Sequence, residues 1–96
     1  TLDLFVLTND TREIDANIDE VLALFKTKIN YNVNVIDSNE KQQLKEELAI
    51  SNFPTFLVKN KLKFSGIHAA ENIKKKFCKL NTLTECSETL SKNIKD

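Results

Sequence analysis

Two cysteines and one histidine are the side chains of this sequence best suited to chemistry. Cys78 and Cys86 are eight residues apart, and His68 is the only imidazole. This spacing lacks the chelating geometry of a Cys-x-x-Cys pair, so a zinc site would need unusual ligands. Three interpretations of the pair stay open: two packed apolar residues, a disulfide that joins the chain end to the fold, or a redox-sensing or metal-binding pair.

Other kinds of active site require residues that this sequence does not supply. A general base at His68 needs a nucleophile or an orienting partner, and the sequence shows neither beside it. The single glycine, Gly66, excludes both glycine-rich phosphate-binding motifs. We therefore predict no metal and no cofactor, and the sequence favours a non-enzymatic role.

Composition narrows the class of protein further. The 96 residues are 41% hydrophobic and 29% charged, which fits one small domain. Basic and acidic residues number 14 each, so no net charge attracts nucleic acid or an anionic membrane. No run approaches the roughly 20 apolar residues that span a bilayer, and no signal peptide is visible. We expect a cytoplasmic protein whose partner is another protein or peptide, although a signal preceding Thr1 would change that compartment.

The periodicity of apolar residues predicts the elements that position these groups. Apolar spacings of three and four predict helices, and period-two alternation with β-branched residues predicts strands. The expected order is β-α-β-α-β-β-α, with strands at 2–7, 31–37, 55–58 and 62–65 and helices at 14–29, 40–49 and 67–80. Ser38 or Asn39 is expected to cap the second helix. A parallel first half joined to a hairpin gives a four-stranded mixed sheet flanked by helices, an α/β domain.

The last segment predicts a C-terminal helical extension, residues 81–96, beyond a domain of residues 1–80. Thr82 and Glu85 have the spacing of a capping box. A narrow apolar edge then follows at Leu83, Cys86 or Ser87, Leu90 and Ile94. One small domain would cover this edge poorly, so the extension is also a candidate surface for a homo-oligomer.

A proline lies immediately before the third predicted strand, in the stretch AISNFPTFLV of residues 49–58. Together with the element order and with Gly66 before the last helix, this pattern resembles the thioredoxin fold in its compact, glutaredoxin-sized form. The resemblance covers about residues 2–80. It implies a cis peptide bond before Pro54, an isomer that costs only about 0.5–1 kcal/mol before proline.

The same resemblance places the redox motif of the family, Cys-x-x-Cys, at the start of the first helix, where the helix dipole stabilises a thiolate. The residues at those positions are Asp10, Thr11, Arg12 and Glu13. The first cysteine of the chain is Cys78. A carboxylate at Asp10 can cap a helix but cannot attack a disulfide, so the thiol–disulfide exchange of the family is excluded at this position.

Two functional hypotheses follow. In the first, the domain is a redox-inactive module that binds a protein or peptide with the loop that replaces Cys-x-x-Cys and with the cis-proline loop. The candidate binding residues are Asp10, Thr11, Arg12, Glu13, Asn52, Phe53, Pro54 and Thr55, of which Phe53 is equally a candidate core residue. In the second, Cys78 and Cys86 act as an oxidoreductase or redox sensor. Glutathione binding through the Phe53 backbone is a further alternative.

Overall fold

A computed structural model of the chain describes residues 1–8 and 11–94, with Glu13 and Ser38 described by their backbone alone. Within these residues, four strands and three helices follow one another in the predicted order. They are β1 Leu2–Val6, α1 Arg12–Phe25, β2 Tyr31–Val35, α2 Ser38–Glu47, β3 Thr55–Val58, β4 Leu62–Ser65 and α3 Ala70–Cys78. Short 3₁₀ turns cover Lys26–Lys28 and Thr84–Ser87.

The strands form one mixed sheet in the order β2-β1-β3-β4. β1 and β2 are parallel, with Leu4 beside Val33, and α1 supplies the crossover that parallel neighbours need. β3 is antiparallel to both β1 and β4, with Phe56 between Leu4 and Phe64. The predicted α/β class and four-stranded mixed sheet are therefore confirmed.

Helices cover both faces of the sheet because successive strand side chains point to opposite faces. Leu2, Leu4 and Val6 belong to the main core cluster with the apolar stripes of α1 and α3. The rings of Phe25 and Phe77 meet there edge to face, with centroids 4.9 Å apart. The smaller cluster on the other face consists of Phe5, Ile36, Ile50 and Leu57, with Leu44 and Leu48 beside it. Burial on both faces specifies the strand register, and with it the position of the loops.

The start of α2 differs from the prediction. The N-cap is Asp37, whose carboxylate accepts a 2.8 Å hydrogen bond from the N–H of Glu40. The sequence places Asp37 in the second strand and the cap at Ser38 or Asn39, and this prediction is wrong by one or two residues. An aspartate caps well because its charge also complements the positive end of the helix dipole.

Residues 81–94 depart furthest from the sequence prediction. The 3₁₀ turn Thr84–Ser87 is the only helical structure in this part of the described chain, and it begins after Leu83 without a side-chain cap. The predicted capping box of Thr82 and Glu85 is therefore wrong. Short isolated helices are marginal in water, so tertiary contacts decide the path of such a segment.

The apolar edge assigned to self-association is covered in the structure. Its packed members, in contact with the main cluster, are Leu83, Cys86 and Leu90. Ile94 is 53% exposed. The surface on which the homo-oligomer prediction rested is thus mostly used to attach the segment to its own domain.

Candidate functional site

Both candidate loops leave the sheet at the same end. β1 and β3 are antiparallel neighbours with Phe5 opposite Thr55, so the end of β1 lies near the residue that precedes β3. That residue is Pro54, and the Phe53–Pro54 peptide bond is cis, the isomer that the sequence predicts. We call residues 7, 8 and 52–54 the cis-proline end of the sheet.

Contacts on both sides hold the proline loop in place. The carbonyl of Pro54 accepts a 2.9 Å hydrogen bond from the N–H of Gly66, whose φ of +94° favours glycine. The half-buried Phe53 ring packs against the smaller cluster, and Nζ of Lys41 lies 5.7 Å from its centroid. Of the two roles predicted for the Phe53 side chain, the structure therefore favours the core role.

Thr55 faces the interior and is only 1% exposed. Its hydroxyl donates a hydrogen bond to the carbonyl of Asn52 and lies 2.9 Å from Oγ of Ser65. These bonds join the proline loop to β4. Burial removes Thr55 from any surface that a partner can touch, so its predicted binding role is corrected to a role in holding the loop.

Thr11 begins α1 as its N-cap residue. Its carbonyl accepts 2.9 Å hydrogen bonds from the N–H groups of Ile14 and Asp15. Its hydroxyl donates to Oδ1 of Asp15 at 2.8 Å and makes no side-chain cap. The half-buried Thr11 therefore serves the first turn of α1 with both its backbone and its side chain.

The structure describes two of the other three residues at positions 10–13, where the resemblance expects Cys-x-x-Cys. Arg12 is the first residue of α1 and is exposed. Glu13 lies in α1 by its backbone. Asp10 lies outside the described residues, so its predicted capping of α1 stays a prediction.

Leu7 is a surface feature that sequence reasoning missed. The apolar run 2–7 predicts a strand buried on both faces at its end, yet β1 ends at Val6 and Leu7 is 51% exposed. Continuing the β1–β3 register by two residues places Leu7 opposite Phe53. The polar residue Thr8 directly after it was the available signal that the strand ends early.

The backbone of the proline loop is available as well. Asn52 is exposed, and no hydrogen bond to the Phe53 backbone occurs among the described residues. Backbone N–H and C=O groups are strong hydrogen-bonding groups that require a partner or water. Within the described part of the chain, the cis-proline end therefore combines an exposed apolar side chain, Leu7, with backbone groups of Phe53 that have no hydrogen-bond partner.

His68 lies beside this end in a hydrogen-bonded chain. Its Nε2 is 2.7 Å from the carbonyl of Ser65, and Nδ2 of Asn72 is 2.6 Å from its Nδ1. Because a carbonyl only accepts, Nε2 carries the proton and donates, while Nδ1 accepts from the amide of Asn72. The Phe64 ring packs edge-on at 5.1 Å. Both ring nitrogens have hydrogen-bond partners, so His68 helps to position the start of α3. The i,i+4 spacing of His68 and Asn72 was the only sequence signal of this contact.

Cys78 and Cys86 form a disulfide, with Cα atoms 6.0 Å apart. Near it, the carbonyl of Leu80 accepts a 2.7 Å hydrogen bond from Nζ of Lys59. Lys59 follows the end of β3, whereas Pro54 precedes its start. Of the three interpretations of the pair, the disulfide is the one present, and it lies away from the cis-proline end.

Carboxylates of two helices anchor the final segment. Glu71 accepts a 2.8 Å hydrogen bond from the N–H of Leu90 and is ion-paired with the buried Lys74 at 2.8 Å. Glu20 accepts from the N–H of Ser91 at 2.6 Å and from its hydroxyl at 2.8 Å. The bond from Leu90, with that from Lys74, lowers the pKa of Glu71 below its ordinary value.

Neither a metal centre nor a membrane span is evident in the described ranges. No group of three His, Cys, Asp or Glu side chains there is placed to hold a metal ion. No helix among those residues combines the length and the apolar character needed to cross a membrane. No family model, no curated protein and no solved structure matches this chain.

Proposed function

We propose that this chain is a thioredoxin-like, redox-inactive module that binds an extended segment of another protein at the cis-proline end of its sheet. Three features support the thioredoxin-like assignment: the element order, the cis peptide bond before Pro54 at the start of β3, and Gly66 before α3. The lack of cysteine at positions 10–13 supports binding without thiol exchange at that site.

The backbone of Phe53, to which no described residue forms a hydrogen bond, is the observation that carries this proposal. It precedes β3 at the end of the sheet, next to the exposed Asn52. An extended peptide can add to such backbone by forming main-chain hydrogen bonds, which supply affinity without requiring a catalytic group. The buried Thr55 hydroxyl holds this loop to β4, so the binding backbone is positioned before a partner arrives.

Leu7 supplies the side-chain contact. It is 51% exposed and lies opposite Phe53 in the continued register. A peptide strand that pairs with the Phe53 backbone would place one of its side chains over Leu7, and side-chain contacts of this kind supply specificity in strand addition. The partner segment is therefore expected to be extended and to carry an apolar residue at that position.

Peptides selected from a random display library against the intact chain provide the probe. We expect a selected peptide to shift the amide resonances of residues 7, 52 and 53. Leu7→Lys should weaken its affinity by at least about tenfold, because the apolar contact is replaced by a charge. Ile94→Lys is the matched control, since Ile94 is equally exposed but lies in the last segment. Shifts confined to other surfaces, or equal affinity of the two variants, would contradict the proposal.

Thiol–disulfide exchange at Cys78 and Cys86 is the second candidate function. Two observations favour it: the pair is already a disulfide, and both residues are only half-buried. Turnover in an insulin-reduction assay with a dithiol reductant, lost in Cys78→Ser and kept in Leu7→Lys, would establish it and displace the binding-only role. Glutathione binding is separated from both by titrating glutathione and following the resonances of residues 52 and 53.

The disulfide also changes the expected compartment. The sequence predicts a cytoplasmic protein, but structural disulfides persist mainly in oxidising compartments and are rare in the cytosol. We therefore assign the folded domain to an oxidising compartment as part of this proposal. Thiol labelling of the protein taken from its native source tests it, and two reduced cysteines would restore the cytoplasmic prediction.

A further inference from the structure

β2 is an end strand of the sheet, and its hydrogen bonds to β1 show which backbone groups remain for another strand. The N–H of Leu2 donates to the carbonyl of Asn30, and the N–H of Ile36 donates to the carbonyl of Val6, both at 2.8 Å. In a strand, the N–H and C=O of one residue point to the same side, and successive residues alternate. The even-numbered residues of β2 therefore face β1, and the odd-numbered residues face outward.

The outward-facing backbone belongs to Tyr31, Val33 and Val35. Val33 and Val35 are also 48% and 49% exposed, although they lie in the sheet. End strands usually carry charges, proline or bulges that prevent pairing with another chain. β2 has none of these in its sequence YNVNV, whereas β4, at the other end of the sheet, carries Lys63.

We propose that β2 pairs antiparallel with β2 of a second copy of this chain, about a two-fold axis at Val33. This register places Val33 opposite the partner's Val33, and Tyr31 opposite the partner's Val35. Each of these pairs exchanges two hydrogen bonds, so every outward N–H and C=O of β2 finds a partner. A two-fold interface requires such a self-complementary surface, and the two sheets become one continuous sheet.

The side chains agree with the same register. Val33 meets the partner's Val33 across the axis, so the exposed valines of both copies lie on one face. On the opposite face, Asn32 meets the partner's Asn34, and two amides can hydrogen-bond to each other. β2 itself carries no charged side chain, so like charges within the strand do not oppose this pairing.

Charges that flank β2 favour the antiparallel direction. Lys26 and Lys28 precede the strand, and Asp37 and Glu40 follow it. Antiparallel pairing brings the basic end of one copy toward the acidic end of the other, whereas parallel pairing would align like charges. Lys28 is also bonded to Glu85 of its own chain, which leaves the exposed Lys26 as the main basic group at this end.

Cysteine crosslinking tests the register. In the proposed dimer, the Cα atoms at position 33 are about 5.5 Å apart across the axis, a distance that a disulfide spans. Mild oxidation should therefore link two Val33→Cys chains. Val35→Cys is the matched control in the same strand, because its two thiols would lie about 14 Å apart along the strands. Equal crosslinking of the two variants, or crosslinking of neither, overturns the proposal.

Sedimentation tests the association without an introduced bond. We expect the intact chain to sediment as a dimer and Val33→Lys, which places two like charges at the axis, to dissociate at least about tenfold more readily. Ile94→Lys should remain dimeric, and circular dichroism checks that each variant is folded. The proposal is overturned if the wild-type chain is a monomer, including one that binds an unrelated strand peptide along β2. It is also overturned if Val33→Lys dimerises like wild type.

Discussion

The backbone N–H of Leu90 donates a hydrogen bond to the carboxylate of Glu71, which lies on α3 nineteen residues earlier in the chain. A second hydrogen bond joins the same two segments in the opposite direction, because the N–H of Glu71 donates to the carbonyl of Ser91 at 2.9 Å. A segment that the sequence presents as a separate helix is therefore an extended cover on α3, bonded to it through backbone and side chain.

Acid should weaken this attachment. The pKa of Glu71 lies below its ordinary value of 4.5 because the bond from Leu90 and the ion pair with Lys74 favour the charged form. A carboxyl group whose pKa is lower in the folded state stabilises the fold above its unfolded pKa and loses that contribution as the pH falls through the folded pKa. We expect the free energy of unfolding, measured by urea denaturation, to decline below pH 4.5.

Glu71→Gln should remove part of that acid-dependent decline, because the amide does not titrate. The matched control is Glu46→Gln on the exposed side of α2, which should keep the decline. A Glu71→Gln variant with the same pH dependence as wild type would show that another group is responsible.

Removing the disulfide should destabilise the domain. Cys78 and Cys86 close a loop with a sequence separation of eight residues, and a crosslink of that length contributes about 2–3 kcal/mol by limiting the unfolded chain. We expect the double variant Cys78→Ala and Cys86→Ala to lose about that free energy of unfolding in urea. Amide exchange at Leu90 and Ser91 should also accelerate. An unchanged midpoint would mean that the other contacts hold the segment without the crosslink.

Thr55→Val should loosen the proline loop while preserving the shape of the side chain. The buried hydroxyl bonds to Asn52 and Ser65, and a buried partner left without its bond costs about 1–3 kcal/mol. Thr55→Ser keeps the hydroxyl and is the control. In a double-mutant cycle with Ser65→Ala, the two substitutions should be non-additive, and simple additivity would argue against the bond between the hydroxyls.

Tyr31→Phe should leave the stability unchanged or raise it by about 1 kcal/mol. The hydroxyl of Tyr31 is buried without a hydrogen-bond partner among the described residues. Burial, with Asp15 and Asp19 nearby, raises the pKa of this hydroxyl well above its ordinary value. Chemical denaturation in dilute solution, where β2 pairing is weakest, is the measurement. A clear loss of stability would reveal a bond to the hydroxyl, such as one to an ordered water.

The strands and helices were predictable because their signals are local. β3 and β4 begin and end at the residues predicted from their apolar patterns and from the short connection at 59–61, and α1 lies along its predicted apolar stripe. The cis bond before Pro54 was also anticipated, from the resemblance to the thioredoxin fold. For Thr55, the sequence indicated its place at the start of β3, while its burial depends on β4 and on the loop that covers it.

By itself, the sequence determined the α/β class, the element order and the absence of cysteine at the start of α1, because each depends on residue types and spacings along the chain. Only the tertiary structure decided that Leu7 is exposed, that Cys78 bonds to Cys86, and that the last segment follows α3 as an extended chain. These outcomes depend on contacts between residues far apart in sequence. Such contacts outweigh the weak local preference of a short segment.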